Sequence, residues 1–317
     1  MIAVTGYTGF IGRHFLSALP QAQCCLLGRQ PYLDYPFFKF DLENYESEHL
    51  LKNLEGLDVI VHFAARVHIM NDASVSPLDD YRSINRDSTL SLAATAAKAG
   101  VKRFIYLSSI KANGERTHSQ AFTSDSSLLP EDPYGVSKSE AEIALKKLAR
   151  ETGMEVVIVR PSLVYGPGVK ANFASLMNLV SKGIPLPFGC ITKNKRSLVS
   201  VDNLVDLIIT CLDHPKAANQ VFLVSDDHDV STSEMVRHMA LALDKPTWQL
   251  PIPVWCYYLA GKLFNKSDVV DRLTGSLQVD ITHTKETLGW TPPQSLQESF
   301  KQTAEAFLQS KKNNGKV

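Results

Sequence analysis

Short apolar runs alternate with longer segments whose apolar positions recur every three or four residues, from the first residues to Ser225. The short runs predict buried strands and the longer segments predict amphipathic helices. Continuous apolar strands separated by helices are typical of a parallel sheet that is covered on both faces, so we predict a doubly wound α/β fold. The predicted strands are Ile2–Thr5, Cys24–Gly28, Phe37–Phe40, Val59–Ala64, Arg103–Ser108, Val156–Arg160 and Val221–Ser225.

Amphipathic helices are predicted over Asn85–Ala99, Gly135–Thr152 and Asn203–Leu212. Beyond Arg160, prolines and glycines interrupt this order and predict loops and short helices. We therefore expect two lobes: a sheet domain of residues 1–165 and about 197–228, and a smaller C-terminal α/β lobe of about residues 166–196 and 229–310. Residues 311–317 are predicted to be a disordered tail.

One helical segment, Val254–Phe264, is apolar apart from Lys262 and includes Trp255, Tyr257 and Tyr258. It contains too few residues to span a bilayer, and no other apolar stretch is longer, so we expect no membrane insertion. We expect this segment to be part of the core, and a partner surface and a membrane-proximal patch stay open as alternatives.

The first predicted strand leads directly into Gly6, Gly9 and Gly12, and a helical pattern follows them. In a strand–turn–helix context the first glycine permits the tight turn, the second lets the backbone approach a pyrophosphate, and the third lets the helix pack closely. The amide groups at the start of the helix then face the phosphates. The spacing is G-x-x-G-x-x-G, and we predict that this turn binds a dinucleotide.

The chain of 317 residues has 33 basic and 33 acidic side chains, a balance that offers no argument for a nucleic-acid partner. The cysteines and histidines show no metal-ligand spacing, so we expect no metal site. We expect a cytoplasmic protein with reduced thiols and no signal peptide, because the first strand begins at the first residues. The cysteines are Cys24, Cys25, Cys190, Cys211 and Cys256.

The second strand ends at Gly28-Arg29 and lacks the acidic residue that usually holds the ribose 2′-hydroxyl of NAD. Arg29 is suited to a 2′-phosphate, although a solvated surface arginine is the alternative. We therefore favour NADP(H) and keep NAD(H) as possible. Asp41, followed by Leu42 after the third strand, is suited to the adenine amino group, but an aspartate there is also common in turns.

Tyr134 and Lys138 are four residues apart in a predicted helix and share one of its faces. A nearby ammonium favours the phenolate, so Lys138 is predicted to lower the pKa of Tyr134 towards neutrality. A tyrosine of that kind can exchange a proton with a carbonyl or hydroxyl oxygen. Ser109, at the carboxyl end of the fifth strand, is placed to hydrogen-bond the same oxygen.

These motifs resemble the extended short-chain dehydrogenase/reductase family, the nucleotide-sugar epimerases and dehydratases, over nearly the whole chain. The resemblance implies a Rossmann fold, a catalytic triad of Ser109, Tyr134 and Lys138, and a supporting Asn85. It selects Ser109 over Ser108 because of the spacing to Gly114. It also implies that Pro161 and Leu163 line the nicotinamide pocket. The cofactor contacts expected from turn and resemblance together are Gly6, Thr8, Gly9, Phe10, Ile11, Gly12, Arg29, Asp41, Leu42, Phe63, Ala64, Ala65, Asn85, Tyr134, Lys138, Pro161 and Leu163.

The resemblance extends to the smaller lobe. Asn172 resembles the residue at a helix start that grips the nucleoside diphosphate, and Arg196 and Arg272 resemble arginines that meet the pyrophosphate. A guanidinium suits this role because it is planar, permanently charged and able to bond phosphate oxygens bidentately. A surface salt bridge is the alternative for each arginine. We expect these residues, with Ser109, to bind a UDP-sugar.

Several reactions are known on this scaffold. A 4,6-dehydratase of this family normally has an acid pair, or an Asp-Lys pair, directly after the catalytic serine or threonine. Ile110 and Lys111 stand there in this chain: Lys111 alone fits either case, but the missing acid disfavours dehydration. The segments Phe63–His68 and Ser108–Glu115 resemble bacterial surface-polysaccharide members. We therefore predict NADPH-dependent reduction of the 4-keto group of a UDP-4-keto-6-deoxy-HexNAc sugar, as in O-antigen synthesis. The alternative is a UDP-hexose or UDP-HexNAc 4-epimerase with tightly bound NAD.

A third possibility is a dinucleotide-binding sensor without catalysis, because a fold alone does not fix a function. The complete Ser109, Tyr134 and Lys138 set argues against it. Members of this family often pair through the two helices that correspond to Asn85–Ala99 and Gly135–Thr152, so the resemblance implies a homodimer.

Overall fold

The computed structural model describes residues 1–44, 47–67 and 76–314. His68, which belongs to one of the segments that carry the resemblance, lies outside the described residues. The strands are β1 (Ile2–Thr5), β2 (Cys24–Gly28), β3 (Phe37–Lys39), β4 (Val59–His62), β5 (Arg103–Leu107), β6 (Glu155–Pro161), β7 (Leu163–Tyr165), β8 (Arg196–Ser200), β9 (Val221–Val224) and β10 (Asp229–Val230).

Seven of these strands form one parallel sheet in the order β3-β2-β1-β4-β5-β6-β9. The order runs outward in both directions from β1, and the sheet has helices on both faces, so the predicted doubly wound fold is confirmed. Apart from the edge strand β3, which is partly exposed, the strands are buried over most of their length, as their continuous apolar sequences require. The carboxyl ends of β1, β4 and β5 lie side by side, which gathers the glycine turn, His62 and Ser109 at one edge.

Helices cover the sheet and build the rest of the chain. They are α1 (Phe10–Ser17), α2 (Ser47–Leu54), α3 (Pro77–Arg82), α4 (Thr89–Lys98), α5 (Pro133–Thr152), α6 (Ala171–Val180), α7 (Val201–Asp213), α8 (Thr232–Ala242), α9 (Val254–Leu263), α10 (Ser267–Thr274), α11 (Thr282–Leu288) and α12 (Leu296–Asn314).

The helix predicted to begin at Asn85 begins eight residues earlier at Pro77, which occupies the first turn of α3. Proline has no amide hydrogen to lose there, and Asp79 and Asp80 in the first turn favour a helix start. A π-helical turn, Ser83–Ser88, joins α3 to α4. The helix α5 likewise starts at Pro133, two residues before the predicted start, and ends at Gly153 in the left-handed conformation with φ 77°.

A second, three-stranded sheet has the order β10-β8-β7 and lies in the C-terminal part of the chain. One residue of each strand, Tyr165, Leu198 and Val230, belongs to a second apolar cluster. This cluster also contains Phe173 and Phe300, whereas Val199 belongs to the cluster around the large sheet. The boundaries given above for the two lobes stay a prediction.

Two expectations about the C-terminal part are wrong. The apolar helix α9 is not core: Trp255, Leu259 and Leu263 are exposed, because only one side of this helix reaches the second cluster. Residues 311–314 are not a disordered tail but the last turn of α12, where Lys311 stacks on Phe307 and its ammonium bonds Ser181. Within the described residues, no helix is long and apolar enough to cross a membrane.

Candidate active site

The glycine turn between β1 and α1 has the geometry that a dinucleotide phosphate requires. Gly6 adopts φ 66°, and a Cβ there would lie 2.4 Å from the Ala64 nitrogen. A Cβ on Gly12 would lie 2.5 Å from the Gly6 oxygen, so glycine lets α1 start this close to the turn. Among the described residues no side chain caps α1 at Gly9, and its first turn has no acid. The positive end of α1 is therefore available to an anion, which fits a pyrophosphate.

Tyr7, inside the glycine turn, packs over the end of β2, and its ring leaves no room for a side chain at position 28. This close packing accounts for the glycine there. A Cβ on Gly28 would lie 2.4 Å from the Tyr7 hydroxyl, and that hydroxyl donates a hydrogen bond to the Gln30 carbonyl. Sequence reasoning missed this contact, although an aromatic residue inside the turn and a glycine at the strand end were its visible signals. Arg29, next to Gly28, is exposed.

The structure brings Ser109, Tyr134 and Lys138 together at the carboxyl end of β5. The Ser109 hydroxyl lies close enough to the Tyr134 phenol to lower its pKa, and the Lys138 ammonium lies 5.9 Å from the centre of the Tyr134 ring. Asp132 caps α5 through the Gly135 amide at 2.6 Å, which fixes the first turn that carries Tyr134. The same arrangement presents a hydroxyl, a phenol and a cation to one point, as proton transfer to a sugar oxygen requires.

The predicted lowering of the Tyr134 pKa is wrong for the protein alone. Burial raises the pKa of Tyr134, and the charges of Asp132 and Tyr81 raise it further, whereas only the Ser109 hydrogen bond lowers it. Lys138 does not compensate because burial also lowers its own pKa, to about 7. In the protein without its cofactor, burial therefore favours the uncharged forms of both Lys138 and Tyr134.

Lys138 is held by groups around its ammonium. Its Nζ donates to the Leu107 carbonyl at 2.9 Å and lies 4.5 Å from the centre of the Tyr106 ring. Glu142, one turn later on α5, has a carboxylate that raises the pKa of Lys138 against the effect of burial. The position of Lys138 is thus set by the last residues of β5 on one side and by Glu142 on the other.

Ser108 does not face the site occupied by Ser109. Its hydroxyl donates to the Glu142 carboxylate, which also pairs with Arg160 at 2.6 Å inside the protein. Arg160 in turn bonds the Asn113 oxygen at 3.0 Å, and the Asn113 amide donates to the Ser126 carbonyl at 3.0 Å. Sequence reasoning missed this buried network. Two features of the sequence could have indicated the network: Glu142 follows Lys138 by four residues in the same helix, and Arg160 lies inside an apolar strand.

Asn85 supports the site from the π-helical turn. Its side chain exchanges two hydrogen bonds with the Arg66 backbone, at 2.8 and 3.0 Å, and donates to the Ser137 hydroxyl at 3.0 Å. It therefore joins the loop after β4 to the active-site helix α5. π-Helical turns occur frequently at functional sites because they re-aim one side chain.

His62 is buried at the end of β4 and was not predicted to matter. Its ring nitrogens hydrogen-bond the hydroxyls of Thr5 at 2.8 Å and Thr89 at 3.0 Å, and the ring stacks on Tyr106. Burial, aided by the charge of Lys138, lowers the pKa of His62 to about 3. His62 is therefore a neutral structural link between β1, β4 and α4.

Lys111 stands two residues after Ser109 and is neutralised by acids. Its ammonium pairs with Asp132 at 2.6 Å and with Glu115 at 2.8 Å, and these partners raise its pKa against the effect of burial. The chain thus places a paired lysine where the resemblance implies a proton-transferring acid in dehydratases.

Arg196 and Arg272 lie close together in the C-terminal part. The Arg196 guanidinium donates to the Arg272 carbonyl at 3.0 Å, and burial together with the charge of Arg272 lowers its pKa. Two neighbouring cations are suited to a diphosphate. Asn172 is exposed in the first turn of α6, and no described contact joins it to the arginines.

The other predicted cofactor contacts lie at the carboxyl edge of the sheet or just beyond it. Phe63, Ala64 and Ala65 follow β4 and are partly exposed, Pro161 is buried at the end of β6, and Leu163 is exposed. Asp41, just before Leu42, accepts a hydrogen bond from the Glu43 amide at 3.2 Å, as in an ordinary turn. Among the residues that the structure describes, no cluster of His, Cys, Asp or Glu is suited to a metal ion.

The sequence matches known proteins over its full length. Residues 2–225 match the NAD dependent epimerase/dehydratase family. The UDP-glucose 4-epimerase of Vibrio cholerae is 60% identical over 315 residues, which cover 98% of this chain and 96% of that protein.

Solved structures show the same fold. The UDP-glucose 4-epimerase of Thermotoga maritima, solved with UDP-glucose, superimposes with a TM-score of 0.77 at 23% identity, covering 98% of this chain and 99% of that one. A dTDP-glucose 4,6-dehydratase of Streptomyces venezuelae, solved with NAD bound, gives 0.76 at 21% identity and covers 98% of both chains.

The interpretation as an NADPH-dependent 4-keto reductase is wrong, because the full-length identity of 60% is to a 4-epimerase. Sequence motifs failed here because reductases and epimerases share the glycine turn and the triad. The preference for NADP(H), which depended on the single exposed Arg29, gains no support from these relatives.

Proposed function

Because this chain is an enzyme of the NAD dependent epimerase/dehydratase family, we propose that it inverts the C4 hydroxyl of a UDP-hexose or UDP-HexNAc and keeps NAD bound. The observation that carries this proposal is the 60% identity, over nearly the full length, to a UDP-glucose 4-epimerase. The assembled Ser109, Tyr134 and Lys138 supply the side chains that the chemistry needs.

Bound NAD would supply a reversible acceptor for the C4 hydride and a positive charge that favours the Tyr134 phenolate. As that phenolate, Tyr134 would take the proton from the sugar O4 hydroxyl as C4 is oxidised, and as the phenol it would return the proton to O4 after the keto sugar has turned over. Ser109, beside Tyr134, would hydrogen-bond the reacting oxygen. Lys138, whose charged form Glu142 favours, would supply positive charge beside the phenolate.

We assign the cofactor to the glycine turn. The open end of α1 would take the pyrophosphate, and Phe63, Ala64 and Ala65 after β4 would line the path to the nicotinamide. Lys138 would also meet the nicotinamide ribose. NAD is chosen over NADP(H) because an epimerase returns the hydride to the same sugar and needs no fresh reductant.

The paired cations Arg196 and Arg272 are the proposed diphosphate site. Asn172 is the proposed contact to the nucleoside side of the diphosphate. We further propose that two copies pair through α4 and α5, where Ile143 is exposed. The cysteines of the chain are all unpaired, which supports a reducing, cytoplasmic location.

The test is product analysis without added nucleotide. Purified protein is incubated with UDP-glucose and, separately, with UDP-N-acetylglucosamine, and the sugar nucleotides are separated by chromatography. The proposal predicts the C4 epimer of at least one substrate and the release of NAD when the protein is denatured. Absence of both epimers with NAD present, or turnover only with added NADPH, would contradict it.

A further inference from the structure

Among the described residues, eight of the 17 large apolar side chains that are exposed lie in one segment, residues 248–269. Isolated exposed apolar residues are ordinary, but a contiguous patch marks a surface that something covers. The patch includes the outer face of α9 and the residues on both sides of it. Its members are Trp248, Leu250, Trp255, Tyr258, Leu259, Leu263, Phe264 and Val269.

The helix α9 is anchored on one side only. Val254 and Tyr257 pack against the second apolar cluster, and Gly261 lies so close to α10 that a Cβ would be 2.7 Å from Val270. The outward positions are apolar as well: Trp255, Leu259 and Leu263 follow one another at intervals of four and are 66%, 61% and 77% exposed. A surface helix normally has polar residues on its solvent side. The apolar outward face of α9 therefore indicates a binding surface.

The charged side chains of residues 245–267, a segment that overlaps this patch, are all basic. Lys245, Lys262 and Lys266 are exposed, and no acidic residue lies between Lys245 and Ser267. Asp244 and Asp268 adjoin the segment at its two ends. The whole chain has equal numbers of basic and acidic residues, so this cationic stretch departs from the rest. Helices that lie in the headgroup region of a membrane typically combine tryptophan, tyrosine and leucine side chains with lysines, as this segment does.

We propose that residues 245–266, with α9 at their centre, dock the protein onto an anionic lipid surface. The aromatic and leucine side chains of α9 enter the headgroup boundary, and Lys262 and Lys266 contact lipid phosphates. The helix lies on the surface and does not span it, because α9 has only ten residues. Docking is therefore peripheral and reversible.

A second copy of the chain fits this face less well. A two-fold contact pairs the same patch of both copies, so two patches whose charges within residues 245–267 are all basic would face each other without an acid from that stretch to pair with the lysines. An anionic lipid surface removes this repulsion and still covers the apolar side chains.

The docking face adjoins the proposed diphosphate site. Tyr258 on α9 hydrogen-bonds Thr274 at 3.0 Å, and Thr274 belongs to α10, the helix that carries Arg272. The proposal does not depend on the proposed reaction, since it concerns only the exposed segment and its charges. It implies that the substrate-binding part of the enzyme lies next to the membrane.

The test is vesicle binding by the full-length protein. Co-sedimentation and tryptophan emission are measured with vesicles of phosphatidylglycerol mixed with phosphatidylcholine, and with phosphatidylcholine alone. Binding to the anionic vesicles, with a blue shift of emission and weakening by salt, is expected. Lys262→Gln with Lys266→Gln should weaken this binding by roughly 30-fold, at about fivefold for each lysine.

The matched apolar variants distinguish the patch from general stickiness. Leu259→Gln with Leu263→Gln should abolish binding, whereas Leu241→Gln with Leu308→Gln, which are exposed outside the patch, should leave it unchanged. Epimerase activity should be unchanged in all of these variants, which checks that they fold. Equal binding by the α9 variants, or loss of a dimer in place of vesicle binding, overturns the proposal.

Discussion

Arg160 and Glu142 form an ion pair of 2.6 Å, with both side chains buried, directly behind the active-site helix α5. The same Glu142 carboxylate accepts a hydrogen bond from Ser108 and lies one turn from Lys138. A single buried carboxylate thus joins the end of β5, the end of β6 and the lysine of the active site.

Replacing this carboxylate should affect both stability and pH dependence. Glu142→Gln leaves Arg160 buried without its counter-charge, so the free energy of unfolding should fall by about 3–5 kcal/mol in denaturant titrations. It also removes the group that keeps Lys138 charged, so the alkaline limb of the kcat profile should move to lower pH. Glu151→Gln, in an exposed pair with Lys147, is the control and should change stability by less than about 0.5 kcal/mol. An unchanged pH profile would refute the role given to Glu142.

Removing the Tyr134 hydroxyl should abolish turnover with little effect on the fold. Tyr134→Phe eliminates the group proposed to move the O4 proton, and kcat should fall by about 10²–10⁴-fold. The melting temperature and the content of bound NAD should stay near those of the parent protein. Tyr81→Phe, in the ring that packs edge-on at 6.1 Å, is the matched control and should keep most activity. Comparable activity of Tyr134→Phe and the parent would exclude this residue as the proton carrier.

His62 should make the protein sensitive to acid. Burial lowers its folded-state pKa to about 3 from 6.5, so the unfolded state binds more protons between these values and stability falls as the pH decreases through them. The slope attributable to His62 is at most about 1.4 kcal/mol per pH unit. In His62→Gln this contribution should disappear, whereas the exposed His49→Gln should retain it. Unfolding free energies measured between pH 7 and about 4 check the difference, and equal slopes would contradict it.

The paired arginines should govern substrate affinity. Arg272→Ala and Arg196→Ala each remove a charge-assisted bond to the proposed diphosphate, so KM should rise by about 10-fold or more while NAD content stays unchanged. Arg237→Ala, exposed on α8 in the same part of the chain, is the control. Steady-state kinetics with the active UDP-sugar measure the effect. A KM that stays at the parent value in both variants would remove the arginines from the substrate site.

The large sheet was predictable because continuous apolar strands and a glycine turn are local signals. The pattern placed β1 and β2 at their observed residues, since Ile2–Thr5 and Cys24–Gly28 are bounded by turn residues. The start of α3 was missed because Pro77 and its two aspartates look like a loop until the helix start is recognised. The three-stranded sheet was missed because its strands have two to five residues each, too few to show a period.

The catalytic side chains were visible from their spacing, but their electrostatics were not. The interval of four residues places Tyr134 and Lys138 on a common helix face. It does not reveal that both side chains are buried, and burial raises the pKa of Tyr134 and lowers the pKa of Lys138. The Arg160–Glu142 pair joins residues 18 apart in different elements, and only the folded chain brings them together. The exposure of α9 was hidden for a similar reason, since an apolar sequence does not tell which neighbours cover it.

The most direct test of the central proposal follows the hydrogen at C4 of the sugar. The enzyme is incubated, without added nucleotide, with UDP-glucose deuterated at C4, and the epimer is analysed by mass spectrometry and NMR. An enzyme that removes the hydride and returns it from the same bound NAD should give UDP-galactose that keeps its deuterium at C4. Loss of the deuterium to the medium, or product formed only when NADPH is added and consumed, would contradict the proposal.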